Sequence, residues 1–105
     1  MSQIYRVQRD KHPDLAFEGD VVARVSSDSR DSWRARWTEL ELYRTNAGKW
    51  VAVTIGRSRV EGETDRHAAV VCENLREVFA ALGMGRLARQ LYVRAELETP
   101  AEWVD

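Results

Sequence analysis

Arg36 to Arg57 reads RWTELELYRTNAGKWVAVTIGR, and this stretch decides the fold. Two runs that alternate apolar and polar residues, Arg36–Thr45 and Lys49–Arg57, flank the segment Thr45-Asn46-Ala47-Gly48. A period of two is the mark of a half-buried strand, because successive side chains point to opposite faces of a sheet. Asn and Gly admit the left-handed backbone that a tight turn requires. The stretch therefore predicts a β-hairpin. Pairing Arg44 with Lys49 sets Tyr43 against Trp50, Leu42 against Val51, Leu40 against Val53 and Thr38 against Ile55, so that apolar residues share a face with their partners. The second face then carries Trp37, Glu39, Glu41, Tyr43, Trp50 and Thr54.

Upstream, Leu15–Ser26 alternates in the same way, with Leu15, Phe17, Gly19, Val21, Ala23 and Val25 on one apolar face and Gly19 as the candidate bulge. Ile4–Arg9 reads as a short first strand ended by Asp10-Lys11-His12-Pro13-Asp14. Residues 26–32, Ser26 to Ser32, hold no apolar side chain and read as a flexible loop. Downstream of the hairpin, residues 60–65 form a polar connection. His67–Cys72 is a further strand, with Ala68, Val70 and Cys72 on one face.

After Cys72 the period changes. Asn74 and Glu77 have the spacing of a capping box. Leu75, Val78, Phe79 and Leu82 recur at helical intervals, and Gly83 closes the helix. A second helix runs from after Gly85 to about Ala95. Its apolar stripe is Met84, Leu87, Ala88, Leu91, Tyr92 and Ala95, with Arg86, Arg89 and Gln90 opposite. Residues 99–105 form a C-terminal tail with a helix-start signal at Thr99-Pro100, and Trp103 is expected to fold back on the body. The expected architecture is one α+β domain over residues 1–105: an antiparallel sheet of four to five strands followed by two helices packed on one face.

Composition narrows the function. Of 105 residues 44% are hydrophobic, enough for one core, and 31% are charged with a net charge of -1. A protein that coats duplex nucleic acid is expected to be basic, so this balance speaks against one while allowing a local basic patch. Only Lys11 and Lys49 are lysines, so the basic residues are nearly all Arg, which forks onto carboxylates and stacks on aromatic rings. Cys72 is the only cysteine, which rules out an internal disulfide and fits a reducing cytoplasm. Met1-Ser2-Gln3-Ile4-Tyr5-Arg6 lacks the apolar stretch of a signal peptide, so no secretory leader is expected, and no run is long enough to span a membrane.

The candidate chemistry is sparse. His12, His67, Cys72, Asp65, Glu61 and Glu63 are the possible metal ligands, but His67 and Cys72 fall on opposite faces of a strand and no ligand spacing appears. Neither a metal nor a cofactor is expected. Cys72 lies in an apolar alternation, where cysteine behaves as a small inert hydrophobe. Glu39 and Glu41 project from one strand face and read as solvated carboxylates rather than a catalytic pair. Gly83-Met84-Gly85 follows a helix and lacks the fingerprint of a phosphate-binding loop. A helix–turn–helix reading of the two helices, with Arg86 and Arg89 on the second, meets bulky Phe79 in the first helix and the lack of a third supporting helix.

What remains is a set of aromatic and Arg residues: Trp37, Tyr43 and Trp50 on one hairpin face, with Arg34, Arg36, Arg57 and Arg59 near one hairpin end. That composition suits a partner-binding surface. It also suits base stacking on single-stranded nucleic acid, although Glu39 and Glu41 oppose this. Packing of the same face against another element of the chain, or against a second copy, is the expectation preferred over base stacking.

From Trp37 onward, the fragments Trp37-Thr38-Glu39-Leu40, Leu42-Tyr43-Arg44-Thr45, Gly48-Lys49, Ile55-Gly56-Arg57-Ser58, Gly62-Glu63, Asp65-Arg66 and Val71-Cys72-Glu73 resemble small uncharacterised proteins of bacterial plasmids, integrative elements and phages. Leu82-Gly83, Gly85, Leu87-Ala88 and Leu91-Tyr92 extend the resemblance over the last two thirds of the chain. It implies an accessory role, such as inhibiting a host defence system or controlling the element's own maintenance, and it carries over no functional residue. The leading expectation is a non-enzymatic protein–protein interaction module of a mobile element. The alternative is a nucleic-acid-binding accessory protein, and a small enzyme comes third.

Overall fold

Five antiparallel strands precede two helices: β1 (Gln3–Arg9), β2 (His12–Ser26), β3 (Arg36–Thr45), β4 (Trp50–Ser58), β5 (Arg66–Cys72), α1 (Leu75–Leu82) and α2 (Arg86–Arg94). These elements are seen in a computed structural model that describes residues 2–28 and 34–99. Pro100 of the expected helix start, Trp103 and residues 29–32 of the polar loop lie outside the described residues. The strands pair in sequence order, β1-β2-β3-β4-β5, so the sheet is a simple meander.

The central hairpin forms where the sequence places it, but in a different register. Arg44 pairs with Trp50, Tyr43 with Val51 and Leu40 with Thr54. The turn sets this. The Thr45 N–H donates to the Lys49 carbonyl at 2.8 Å and the Gly48 N–H to the Thr45 carbonyl at 2.9 Å. The three-residue loop that results ends on Gly48 at φ 86, a left-handed position that costs glycine least. Leu40, Leu42, Trp50 and Ala52 now share one face, while Tyr43, Val51, Val53 and Ile55 share the other. The register argument from sequence assumed one buried face. This sheet buries both.

The two faces form separate cores. The helix-side core joins Ala23, Val25, Leu40, Leu42, Trp50, Ala52 and Cys72 to Val78 of α1 and Ala88, Leu91 and Tyr92 of α2. The other core holds Val7, Tyr43, Val51, Val53 and Ile55, with Tyr5, Leu15, Phe17 and Ala69 packed against it. It draws on all five strands and on no helix, so the sheet buries this face by coiling on itself. The coil meets at one corner, where the Asp10 N–H donates to the His67 carbonyl at 2.9 Å and the His67 N–H donates to Asp10 Oδ2 at 3.0 Å. Tyr5, Phe17 and Tyr43 fill its centre, with ring centroids 4.9–5.8 Å apart.

Strand β2 serves both cores, and its apolar residues do not lie on one continuous face. The pairing with β3 slips between Val21 and Ala23, so the extra residue lies beyond Gly19. A bulge of this kind reverses the side-chain alternation. Leu15 and Phe17 therefore point into the coil, and Ala23 and Val25 point toward the helices. Gly19 has another task. A Cβ there would sit 2.1 Å from the Arg44 carbonyl oxygen, so only glycine allows this close crossing. The first strand ends at Arg9 as expected, in a tight turn at Asp10-Lys11 with Lys11 at φ 64, but β2 begins already at His12 rather than at Leu15.

The helices follow the sequence closely. Asn74 caps α1 by accepting from the Glu77 N–H at 3.0 Å, and the Glu77 carboxylate accepts from the Glu73 N–H. Gly83, at φ 78, ends the helix. The Tyr92 hydroxyl donates to the Gly83 carbonyl at 2.6 Å and ties α2 to that turn.

Cys72 is fully buried opposite Trp50, and burial raises its thiol pKa. Both effects suppress the thiolate. A thiol reagent should leave native protein almost unlabelled and react only at the rate of unfolding. Fast native labelling would contradict the packing described here.

Candidate functional site

The end of the β3–β4 hairpin opposite the turn gathers most of the expected residues. Arg36, Trp37, Thr38, Gly56, Arg57 and Ser58 meet the connection after β4 around an open pocket of about 550 Å³, completed by Gly62, Glu63, Thr64 and Arg66. The cross-strand pair Trp37–Arg57 places those two side chains on one face.

Each of three guanidinium groups is held by a carboxylate. Arg36 forks onto Glu63, with Nε 2.9 Å from Oε1 and Nη2 2.5 Å from Oε2. Arg57 lies between two acids, with Nε 2.9 Å from Glu39 Oε1 and Nη1 2.9 Å from Asp65 Oδ2. Arg59 donates to Asp28 Oδ2 at 2.8 Å and to the Arg34 carbonyl at 2.7 Å. Its guanidinium carbon also stands 4.0 Å from the centre of the Trp37 ring, a cation–π stack. The Trp37 indole N–H donates to Glu39 Oε2 at 3.2 Å, which locks the ring to the same network. Arg34 reaches back to the Ser27 carbonyl at 3.3 Å. Ser27, on the polar loop, also accepts from the Thr38 N–H at 2.9 Å, so the described start of that loop is tied to the sheet.

These pairs are partly exposed, Arg57 and Glu39 having 34% and 28% of their side-chain surface in solvent. Exposed pairs contribute roughly 0–1 kcal/mol each, against about 1.5–3 kcal/mol for a fully buried aliphatic or aromatic side chain. The two cores hold the fold. The ion pairs fix the shape and neutralise the charge of the patch.

The carboxylates titrate accordingly. Arg36, then the Ser58 hydroxyl, pulls Glu63 down to about 2 from an ordinary 4.5. Arg57, then the Ser58 N–H, lowers Asp65. Because the folded pKa is depressed, the stabilisation from Glu63 is complete above about pH 4.5 and is lost as the pH falls through about 2. A carbon-detected NMR titration should give Glu63 a midpoint far below that of an unpaired glutamate. An ordinary midpoint would mean that the Arg36 fork does not persist in solution.

Two expected site residues lie elsewhere. Tyr43 is only 3% exposed and sits inside the coil, donating its hydroxyl to Glu41 Oε1 at 2.8 Å. Arg24 pairs with the same Glu41, and burial is the main reason the Tyr43 pKa is raised. Trp50 is 9% exposed and lies in the helix-side core, on the face opposite Trp37, with Arg44 4.2 Å over its ring. The displacement of Trp50 follows from the register, whereas Tyr43 keeps the face of Trp37 and is buried there by the coil of the sheet. Sequence reasoning missed Glu63, Asp65, Asp28 and Ser58 as parts of the patch. The available signal was the concentration of acids at residues 61–65 directly after an Arg-rich strand end.

No family model, curated protein or solved structure matches the chain.

Among the described residues, no three His, Cys, Asp or Glu side chains gather in a group that could hold a metal ion. No helix among them is long and apolar enough to cross a membrane.

Proposed function

We propose that this chain is a non-enzymatic protein-binding module and that the Trp37–Arg59 patch is its contact surface. One observation carries the reading: Arg36, Arg57 and Arg59 are each neutralised by a carboxylate of the same chain. A phosphate-binding surface needs cations whose charge is available. A protein hot spot needs Trp and Arg side chains held rigidly in place, with most of their ordering cost already met in the free protein. The patch has the second character. On the resemblance to proteins of plasmids, integrative elements and phages, the partner is a bacterial host protein in the cytoplasm, and inhibition of a host defence system is one form the interaction takes. The test is a pull-down from bacterial lysate with the wild-type chain and with Trp37→Ala as bait. A protein retained by the first and lost with the second supports the reading; an unchanged set of captured proteins counts against it.

A second reading, contact with nucleic acid, has its support on α2 rather than on the hairpin. Arg86 and Arg89 are exposed, and α2 contains no acidic residue.

A further inference from the structure

We propose that the outer edge of β5 is a self-pairing strand that joins two copies of this chain about a two-fold axis through Val70. Strand β4 directs alternate backbone groups to its two neighbours, and the Thr45–Lys49 hydrogen bond fixes which way. Residues 51, 53 and 55 bond to β3, and residues 50, 52, 54 and 56 face Cys72, Val70, Ala68 and Arg66 of β5. The backbone groups of His67, Ala69 and Val71 therefore point away from the sheet. His67 is engaged by Asp10 through both its N–H and its carbonyl. Just beyond the strand, the Glu73 N–H donates to Glu77. This leaves the N–H and C=O groups of Ala69 and Val71 without a partner among the described residues.

Exposed edges are ordinarily guarded by charge, proline or a bulge. From His67 to Cys72 the edge has no charged carboxylate or lysine, no proline and a regular register with β4. Val70 and Val71 leave 48% and 45% of their surface in solvent.

The occupant follows from the register. Antiparallel pairing about Val70 sets Ala69 of one copy against Val71 of the other, and this satisfies all the open groups on both strands. Centring the axis on Ala69 would require His67, which Asp10 already holds. Centring it on Val71 would require the Glu73 N–H, which Glu77 already holds. Charge agrees with geometry. The strand begins with Arg66-His67 and is followed by Glu73, so antiparallel pairing brings the basic start of one copy to the acidic end of the other, whereas parallel pairing would set like charges side by side. β5 also ends at Cys72, opposite Ala68 of the second copy, one residue short of the space that Asp10 fills beside His67.

Sedimentation equilibrium of the full chain, over a wide concentration range, tests this together with amide hydrogen exchange. The expected result is a reversible dimer in which the Ala69 and Val71 amides exchange more slowly as concentration rises. Val71→Pro deletes an outward N–H and leaves the pairing with β4 intact, as proline on an exposed edge can. Val70→Lys places two like charges at the axis. Each substitution should weaken dimerisation by about tenfold or more while far-ultraviolet circular dichroism stays unchanged. Amide exchange in the wild-type chain gives the answer even if a variant folds poorly. A wild-type chain that remains monomeric, with Ala69 and Val71 amides indifferent to concentration, would overturn the proposal. So would a dimer that Val71→Pro leaves intact, or edge protection seen only when another protein is added.

Discussion

Trp50→Ala is expected to destabilise the fold by about 3–5 kcal/mol, the usual cost of removing a large aromatic side chain from a packed core. Trp50 is 9% exposed and packs in the helix-side core opposite Cys72, with Arg44 across its outer face. For a chain of this size the total stability is on the order of 5–15 kcal/mol, so this one truncation removes a large share of it. The midpoint of urea unfolding should fall sharply at an unchanged m-value, and Tm should drop by roughly 15 °C or more. A loss below about 1 kcal/mol would mean that the ring packs on nothing and that the hairpin register is different.

Trp37→Ala is expected to behave in the opposite way. Trp37 is half-buried at the end of the sheet, stacked by Arg59 and bonded to Glu39. Its contribution to stability is about 1 kcal/mol, the scale of an exposed cation–π pair. Its contribution to partner binding should be larger, about 2 kcal/mol or roughly thirtyfold in affinity, as for a central hot-spot Trp. Calorimetric titration of a captured partner with wild type and variant measures this. Equal affinities would remove Trp37 from the interface. The two Trp substitutions together separate fold from function: one should lower stability, the other should lower affinity.

The contrast also shows where the sequence was legible. Element order, the hairpin turn, the α1 caps and the apolar stripe of α2 were all written in local patterns: Asn46 to Gly48, Asn74 with Glu77, and Ala88, Leu91 and Tyr92 at helical spacing. Such signals involve residues close in the chain. The register of β3 on β4 was not legible, because both strands are apolar on both faces and the rule of one buried face does not choose between slips. The bulge near Val22 was hidden for the same reason, since Val21, Val22 and Ala23 are apolar in succession and either parity looks buried. The register ambiguity placed Trp50 beside Trp37; Tyr43 does share the face of Trp37, but its burial comes from the coil, which joins strands far apart in the chain. The Arg residues were found, but their acidic partners at Asp28, Glu63 and Asp65 come from the loops, which only the folded chain brings to the strand end.

Neutralisation of the Arg cluster by the chain's own carboxylates is the claim on which the functional reading depends. Titration of the protein with single- and double-stranded oligonucleotides at two salt concentrations tests it most directly. Weak binding at physiological salt is the predicted result, with no further loss when Arg57 or Arg59 is replaced by Ala. Submicromolar affinity that collapses as salt rises, and that disappears with Arg57→Ala or Arg59→Ala, would contradict the account and place phosphate recognition at the patch. The same affinity lost instead with Arg86→Ala and Arg89→Ala would contradict it too, and would move the function to α2.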